Sequence, residues 1–313
     1  MLSVHGETAH DAPVQGPRWI NLVDPSPEEM RRLLELEPLD EAFIGHALDQ
    51  HECPRIEVDH ESTMVVVRAP YLETRHGDRR HSTVPIGVIL TPTGLTTICK
   101  VHDQAIQERL RSGLPPGGQM RAERRLCHIV KEVSLLFMLY LKEISAEIQE
   151  LEHDLADTRT NEDLKQLLTL QKSVTYFHSA LKTNDFIIDR ILRKGLAVGN
   201  AGRLNFTEDE EDVLDYALTE TRQGIYMSKI FTEVLSSIAN VTSSIISNSV
   251  NQIMKVLTSM TVIIMIPTFV TSLYGMNVEL PFQHDALAFL IVAAMGGALT
   301  AGVIWVMKLR RIL

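Results

Sequence analysis

Eleven positions near the end of the chain recur at alternating three- and four-residue spacing: Ser237, Asn240, Ser244, Ser247, Asn251, Met254, Thr258, Thr261, Met265, Thr268 and Ser272. On a helix this spacing gathers them on one face. Every member carries oxygen or sulfur and none is charged, while Val241, Ile245, Val256, Ile263 and Ile266 fall on other faces. The inner seam of a soluble coiled coil is usually Leu or Ile. A seam of hydroxyls and amides instead suits a wet interior. The competing reading is that each hydroxyl bonds back to its own helix carbonyls. That is the better account of any single residue; for the whole register we favour the wet seam. The row stops beside "YGMN", Tyr274 to Asn277, where an amide follows a glycine at the end of a long uncharged run.

The elements that must hold this row come from charge patterning. Val256 to Val278 is 23 residues without a charge, and Ala286 to Met307 is 22 more. About 20 apolar residues cross a hydrocarbon core of roughly 30 Å, so two transmembrane helices are expected, rather than two buried core helices. Lys255 precedes the first span, and Lys308, Arg310 and Arg311 follow the second, whereas the connecting "GMNVELPFQHD" has no Lys or Arg. The positive-inside rule then puts both termini in the cytoplasm and the loop outside the cell membrane. In the second span, Ala294, Ala298 and Gly302 form one row of small residues and Ala293, Gly297 and Ala301 another, which favours close helix packing in lipid. Pro267 lies inside the first span and frees a carbonyl one turn earlier, a group better placed near water or protein than lipid. Two helices cannot enclose a water-filled path, so conduction would require an oligomer.

The rest of the 313-residue chain narrows the function class. A net charge of −10 argues against a nucleic-acid surface. Cys53, Cys99 and Cys127 are odd in number and scattered, which predicts a reducing compartment and no disulfide framework. "HECP" has no matching pair at zinc-site spacing. No nucleophile–base arrangement or phosphate loop occurs, so an enzyme is not expected; His102 and His178 read as structural. No resident cofactor is expected.

The organisation reads as four segments. Residues 1–18 are expected to be a loose tail without signal-peptide pattern. Residues 19–118 read as a cytoplasmic α/β domain: "RWINLVDPSPEEMRRLLEL" as strand, turn and helix, then strands in "TMVVVRAPYL", "STVPIGVILT" and "GLTTICKV". Residues 119–254 form a long-helix and stalk region, because no proline occurs from Gly117 to Ile266. Helices are expected from about Gln119 to Asp157, on to about Lys194 before Gly195, and from near Thr207 to Gly275, with Gly224 tolerated. Residues 255–313 are the transmembrane hairpin with its basic C-terminus. The fold class is therefore α+β.

Together these residues resemble the CorA family of divalent-cation transporters. "YGMN" stands at the outer end of the first of two C-terminal spans; "SNSVNQIMKVLT", Ser247 to Thr258, is similar to the family's stalk-to-membrane segment, and "WINLVDPSPEE" to its opening. The loop "VELPFQHD" is shorter and less acidic than in many members, with Glu279 as its remaining outer acid beside Asp285. The resemblance implies a funnel-shaped homopentamer whose pore is lined by the first span. It implies Mg2+ as the usual substrate, with Co2+ and Ni2+ often accepted; relatives of the ZntB type carry Zn2+. A different class, a membrane-tethered coiled-coil sensor or scaffold, would need neither the polar row nor Asn277.

Mg2+ requires near-octahedral oxygen geometry and gives up its waters reluctantly. A ring of Asn277 amides could accept hydrogen bonds from its water shell without holding it as tightly as carboxylates would. Gly275 is expected to use its tolerance of positive φ to turn the backbone, and Met276 completes the filter motif. Asn251 could repeat the amide ring at the inner mouth, and Met254 and Leu257 could close the path by dewetting. In "NFTEDEEDVLDYAL", the acids either complement a helix N-terminus or, as the family resemblance implies, bind regulatory Mg2+ between subunits through Asp212 or Asp215.

Overall fold

A computed structural model describes residues 2–5, 18–37, 39–59, 62–75, 78–113, 120–157, 161–197, 203–278, 281 and 287–310. The chain divides into two compact units, Met1–Ile238 and Ala239–Leu313.

The first unit is built on a six-stranded sheet in the order β1-β2-β6-β5-β4-β3. Its strands are β1 (Leu2–His5), β2 (Arg18–Val23), β3 (Arg55–Val58), β4 (Thr63–Arg75), β5 (Asp78–Leu90) and β6 (Gly94–Cys99). Only β2 and β6 run parallel; the other pairs are antiparallel. The tail expected to be loose contributes β1, which pairs in register with β2 from Leu2 opposite Leu22 to His5 opposite Trp19. A four-residue strand gives little signal in isolation because its stabilisation comes from a partner distant in sequence. Residues 6–17 lie outside the described ones.

Helix α1 (Pro27–Leu36) starts as its sequence dictates. The Ser26 hydroxyl accepts the Glu29 N–H at 3.2 Å, and Glu29 accepts the Ser26 N–H at 2.9 Å. This reciprocal cap satisfies two otherwise orphaned donors. Two short helices were not anticipated, α2 (Glu41–Leu48) and α3 (Gln104–Arg111), begun by the caps Asp40 and Asp103. Eight residues hold barely two turns of periodicity, so tertiary burial decides them. Ile20, Leu22, Leu33, Phe43, Ile44, Ala47, Met64, Val66, Ile89 and Ile98 form one core between α1, α2 and the sheet.

The long helices are α4 (Ala122–Asp157), α5 (Asn161–Lys194) and α6 (Glu208–Tyr274), close to their expected bounds. A two-stranded ribbon, β7 (Leu196–Ala197) with β8 (Arg203–Leu204), follows α5. Gly195 adopts φ +65°, the left-handed conformation that ends helices and favours glycine. Phe137 of α4 meets Phe177 of α5 edge to face at 5.2 Å. Asn184 of α5 binds β4 as another strand would: it accepts the Arg68 N–H at 3.0 Å and donates to the Arg68 carbonyl at 2.8 Å. Gly224 of α6 leaves room for Leu181, whose Cδ1 would stand 3.1 Å from an added Cβ. The polar contacts Ser134–Thr221 and His178–Ser228, both 2.9 Å, pin α6 to α4 and α5.

The second unit contains the last part of α6 and α7 (Ala288–Leu309). Both are long and apolar enough to span a membrane, yet only 11% and 6% of their most apolar stretches is buried within the chain. A soluble core helix hides such a surface, so the buried-core alternative fails and lipid or protein neighbours must cover it. The α6–α7 contact is made by Gly296, where an added Cβ would lie 3.9 Å from Pro267 and Val270. The rows anticipated from sequence, through Ala294 and through Ala293, are exposed in the chain. Gly296 belongs to neither.

Candidate cation path and its loop

The polar row lies along one side of α6, a helix in which nearly every residue from Ser243 to Thr258 is exposed. Ser237, Asn240, Ser244, Ser247, Asn251, Met254, Thr258, Thr261, Met265, Thr268 and Ser272 are all exposed. Ser259 and Val270 are buried, and Ile263, Ile266 and Pro267 half-buried, on the side that meets α7. At about 100° per residue the two faces stand roughly 150° apart. Packing of α7 therefore leaves the oxygen-bearing face of the span open, and Pro267 stands against Gly296 of α7.

The hydroxyl geometry reconciles the two sequence readings. Thr261 donates to the Leu257 carbonyl at 2.9 Å, Thr268 to Ile264 at 2.8 Å and Ser244 to Asn240 at 2.9 Å. These hydroxyls do bond back to their own helix. Doing so commits the proton inward and leaves the oxygen lone pairs facing out. Within the span, Thr261 and Thr268 thus offer acceptors, the complement of water molecules on a cation, which present their hydrogens outward. Thr271, off the row, donates at 3.0 Å to both Pro267 and Thr268 carbonyls, the same back-bonding pattern one turn beyond the proline.

Helix α6 ends on the motif. Gly275 N–H donates to Thr271 and Ser272 carbonyls at 3.0 and 3.2 Å, and Met276 N–H to Leu273 at 3.4 Å. Among the described residues the glycines with positive φ are Gly113 and Gly195, so Gly275 does not use the expected conformation. The helix unwinds through tightened bonds that any residue could form, and a Cβ at Gly275 would meet carbonyl oxygens at 3.4 Å, ordinary contact. Met276 and Asn277 are exposed. The Tyr274 hydroxyl donates to the Pro281 carbonyl at 3.3 Å, tying the helix end to the loop beyond Asn277. Sequence reasoning assigned Tyr274 to the loop without this role, since a donor's partner seven residues on has no sequence signature. Glu279 and Asp285 lie outside the described residues.

At the inner end of the row, Met254 and Leu257 are 53% and 57% exposed, large apolar side chains on a face their own chain leaves open. Asn251 is exposed one turn before them.

In the acidic run, Glu210 is already engaged. Its carboxylate accepts the Thr207 N–H at 2.9 Å and faces Arg121 at 3.7 Å, so it caps α6. Asp212 and Asp215 are both exposed on successive turns. Among the described residues no group of three or more His, Cys, Asp or Glu could hold a metal. One chain alone therefore does not assemble a metal site around these acids. Elsewhere, Cys53 is exposed and Glu52 pairs with Arg55 at 2.7 Å. His178 bonds Ser228, and burial holds its pKa below the usual imidazole range, which fits the structural role expected of it.

Known proteins give the same architecture. The cobalt/magnesium transport protein CorA of Methanocaldococcus jannaschii is 29% identical over 284 residues, 88% of this chain and 85% of that protein. The protein of the same description from Thermotoga maritima is 22% identical over 289 residues, 90% of this chain and 80% of its own length. The complete structure of the CorA magnesium transporter from M. jannaschii superposes with a TM-score of 0.81 at 25% identity, covering 98% of this chain and 97% of that one. Residues 14–310 match the family described as CorA-like Mg2+ transporter protein, and the chain, with its mixed sheet, long helices and two candidate spans, belongs to that family.

Proposed function

We propose that this protein carries Mg2+ across the cell membrane as a homopentamer, with both termini in the cytoplasm. The observation that carries the reading is the uncharged acceptor row on the α6 face left open opposite α7, ending next to Asn277. One α6 contributes one such edge. A closed ring of identical copies is the arrangement that turns a single edge into a tunnel, since cyclic symmetry repeats each residue as a ring.

Each ring then has a task set by its chemistry. Asn277, with Gly275 and Met276, forms the outer filter, where amide oxygens receive hydrogen bonds from the ion's water shell. Thr258, Thr261, Met265, Thr268 and Ser272 line the passage, with hydroxyl lone pairs turned toward it. Met254 and Leu257 form an apolar constriction near the inner mouth, beside an Asn251 ring. A narrow apolar ring excludes water, and with it a hydrated cation, until it widens. Asp212 and Asp215 meet a neighbouring copy through bound Mg2+. When cytoplasmic Mg2+ falls, uncompensated carboxylates repel and favour the open state, because the ion binds the closed state better. Glu279 gathers cations at the outer loop.

The relatives described as cobalt/magnesium transport proteins support Mg2+ and Co2+ as substrates. Flux into liposomes bearing the purified protein tests the assignment, comparing Mg2+, Co2+, Ni2+ and Zn2+ with and without a pH gradient. Saturable Mg2+ flux independent of the gradient is expected. Zn2+ flux driven by the gradient, with no Mg2+ flux, would replace this reading with a proton-coupled zinc carrier.

A further inference from the structure

A buried polar relay between β2, β6 and α3 has a fixed direction. The Trp19 indole can only donate, and it donates to Thr97 Oγ1 at 3.0 Å. The Thr97 hydroxyl donates in turn to Asn21 Oδ1 at 2.8 Å, much nearer than its other acceptor, the Ile20 carbonyl at 3.5 Å. That orients the Asn21 amide so that its Nδ2 donates to Gln107 Oε1 at 2.8 Å. Each orientation follows from the one before, so flipping Gln107 would set two N–H groups against each other. The relay therefore ends on Gln107 Nε2, a donor, which is buried and has no partner among the described residues.

A second orphaned donor lies against Trp19, where the relay begins. Arg125, in the first turn of α4, is 1% exposed, with its guanidinium carbon 4.5 Å above the Trp19 ring. Its Nη1 donates to the Leu110 carbonyl at 3.4 Å, one turn along α3 from Gln107. Its Nη2 has no partner among the described residues. Trp19 and Asn21 are alternate residues of β2, so the guanidinium and the Gln107 amide cover neighbouring positions on one face of that strand. The other buried arginine-facing acid of this region, Glu132, is engaged by Arg109 at 3.1 Å and Lys131 at 3.3 Å. Burial brings the Arg125 pKa down to about 10, so the group keeps its charge at neutral pH.

Two unpartnered donors and an uncompensated buried cation ask for a ligand that accepts hydrogen bonds and carries negative charge. We propose that the layer between β2, α3 and α4 binds a small monovalent anion of the chloride class, held by Arg125 Nη2 and Gln107 Nε2. Water would satisfy the donors and leave the charge unbalanced. The site is independent of cation transport, and a failure of either reading leaves the other standing.

The test uses the full-length protein in detergent micelles, melted at constant ionic strength in sodium chloride, sodium bromide or sodium gluconate. Chloride and bromide should raise Tm by about 3 °C over gluconate, saturating with concentration. Gln107→Leu and Arg125→Met should each remove the difference between salts. Crystals grown in bromide should show one anomalous peak between residues 107 and 125, a readout that needs no variant to fold. Equal Tm in the three salts, a salt effect that persists in Gln107→Leu, or a bromide crystal with no peak at that place would overturn the proposal.

Discussion

Two asparagines show how differently the two units of this protein are built. Asn184 is 3% exposed and spends its amide on both backbone groups of Arg68, joining a helix to a strand 116 residues away in sequence. Asn277 is exposed at the end of α6. Around Asn184, apolar side chains such as Phe177, Leu181 and Ile188 are buried, and polar ones such as His178 and Ser228 bond across elements. Around Asn277, apolar side chains face outward along both spans, and hydroxyls bond to their own helix. The first unit closes most of its contacts within one chain, apart from exposed acids such as Asp212 and Asp215. The second leaves its apolar surface open, and lipid or protein neighbours must cover it.

That contrast predicts opposite phenotypes for one substitution. Asn277→Ala should lower Mg2+ flux at least about 100-fold while leaving thermal stability within roughly 0.5 kcal/mol of wild type, as for surface changes. Undiminished flux would place the filter elsewhere. Asn184→Ala should act the other way, costing about 1–3 kcal/mol because two buried backbone groups lose their partner. Flux per folded protein should stay unchanged, and its loss with intact stability would blur the division.

The next effects concern gating. Replacing Asp212 and Asp215 together by Asn should weaken inhibition by cytoplasmic Mg2+ about tenfold, within the usual range of coupling energies. Titrating inside-out vesicles measures this, and an unaltered inhibition curve would leave the acids as a solvated helix turn. Leu257→Ala should raise leak through the closed state several-fold by admitting water to the constriction. Identical closed-state flux would remove Leu257 from the gate. The smallest effect is expected from Tyr274→Phe, which deletes only the hydroxyl on the Pro281 carbonyl. A loss of about two- to fivefold in flux, consistent with about 1 kcal/mol for one hydrogen bond, would sharpen the picture of a loop held by its helix.

The same contrast explains what the sequence made legible. Long helices announce themselves through sustained periodicity and stops such as Gly195, and the spans through absent charge. The Ser26–Glu29 cap was readable because its partners are three residues apart. Strands β1 and β3 and helices α2 and α3 were not, because so few residues acquire their structure from distant neighbours. The site divided along similar lines. Spacing alone placed the polar row on one face, and the structure agrees. Spacing could not say that Gly296, rather than the flanking small-residue rows, would meet α6. Nor could it show that Gly275 would end its helix without positive φ, since that depends on which carbonyls the unwinding backbone reaches.

The central claim is that the oxygen-bearing edge of α6 faces water inside the membrane. Single cysteines at Thr261, Thr268 and Ser272, and off the row at Ile263 and Ile266, can be introduced with Cys53 removed, since Cys99 and Cys127 are buried. Reaction with a small charged, membrane-impermeant thiol reagent in liposomes then reports which positions meet water. The account predicts fast labelling of the three row positions, slowed by Mg2+ in the path, with Ile263 and Ile266 inert. Inert row positions beside reactive Ile263 and Ile266 would contradict it.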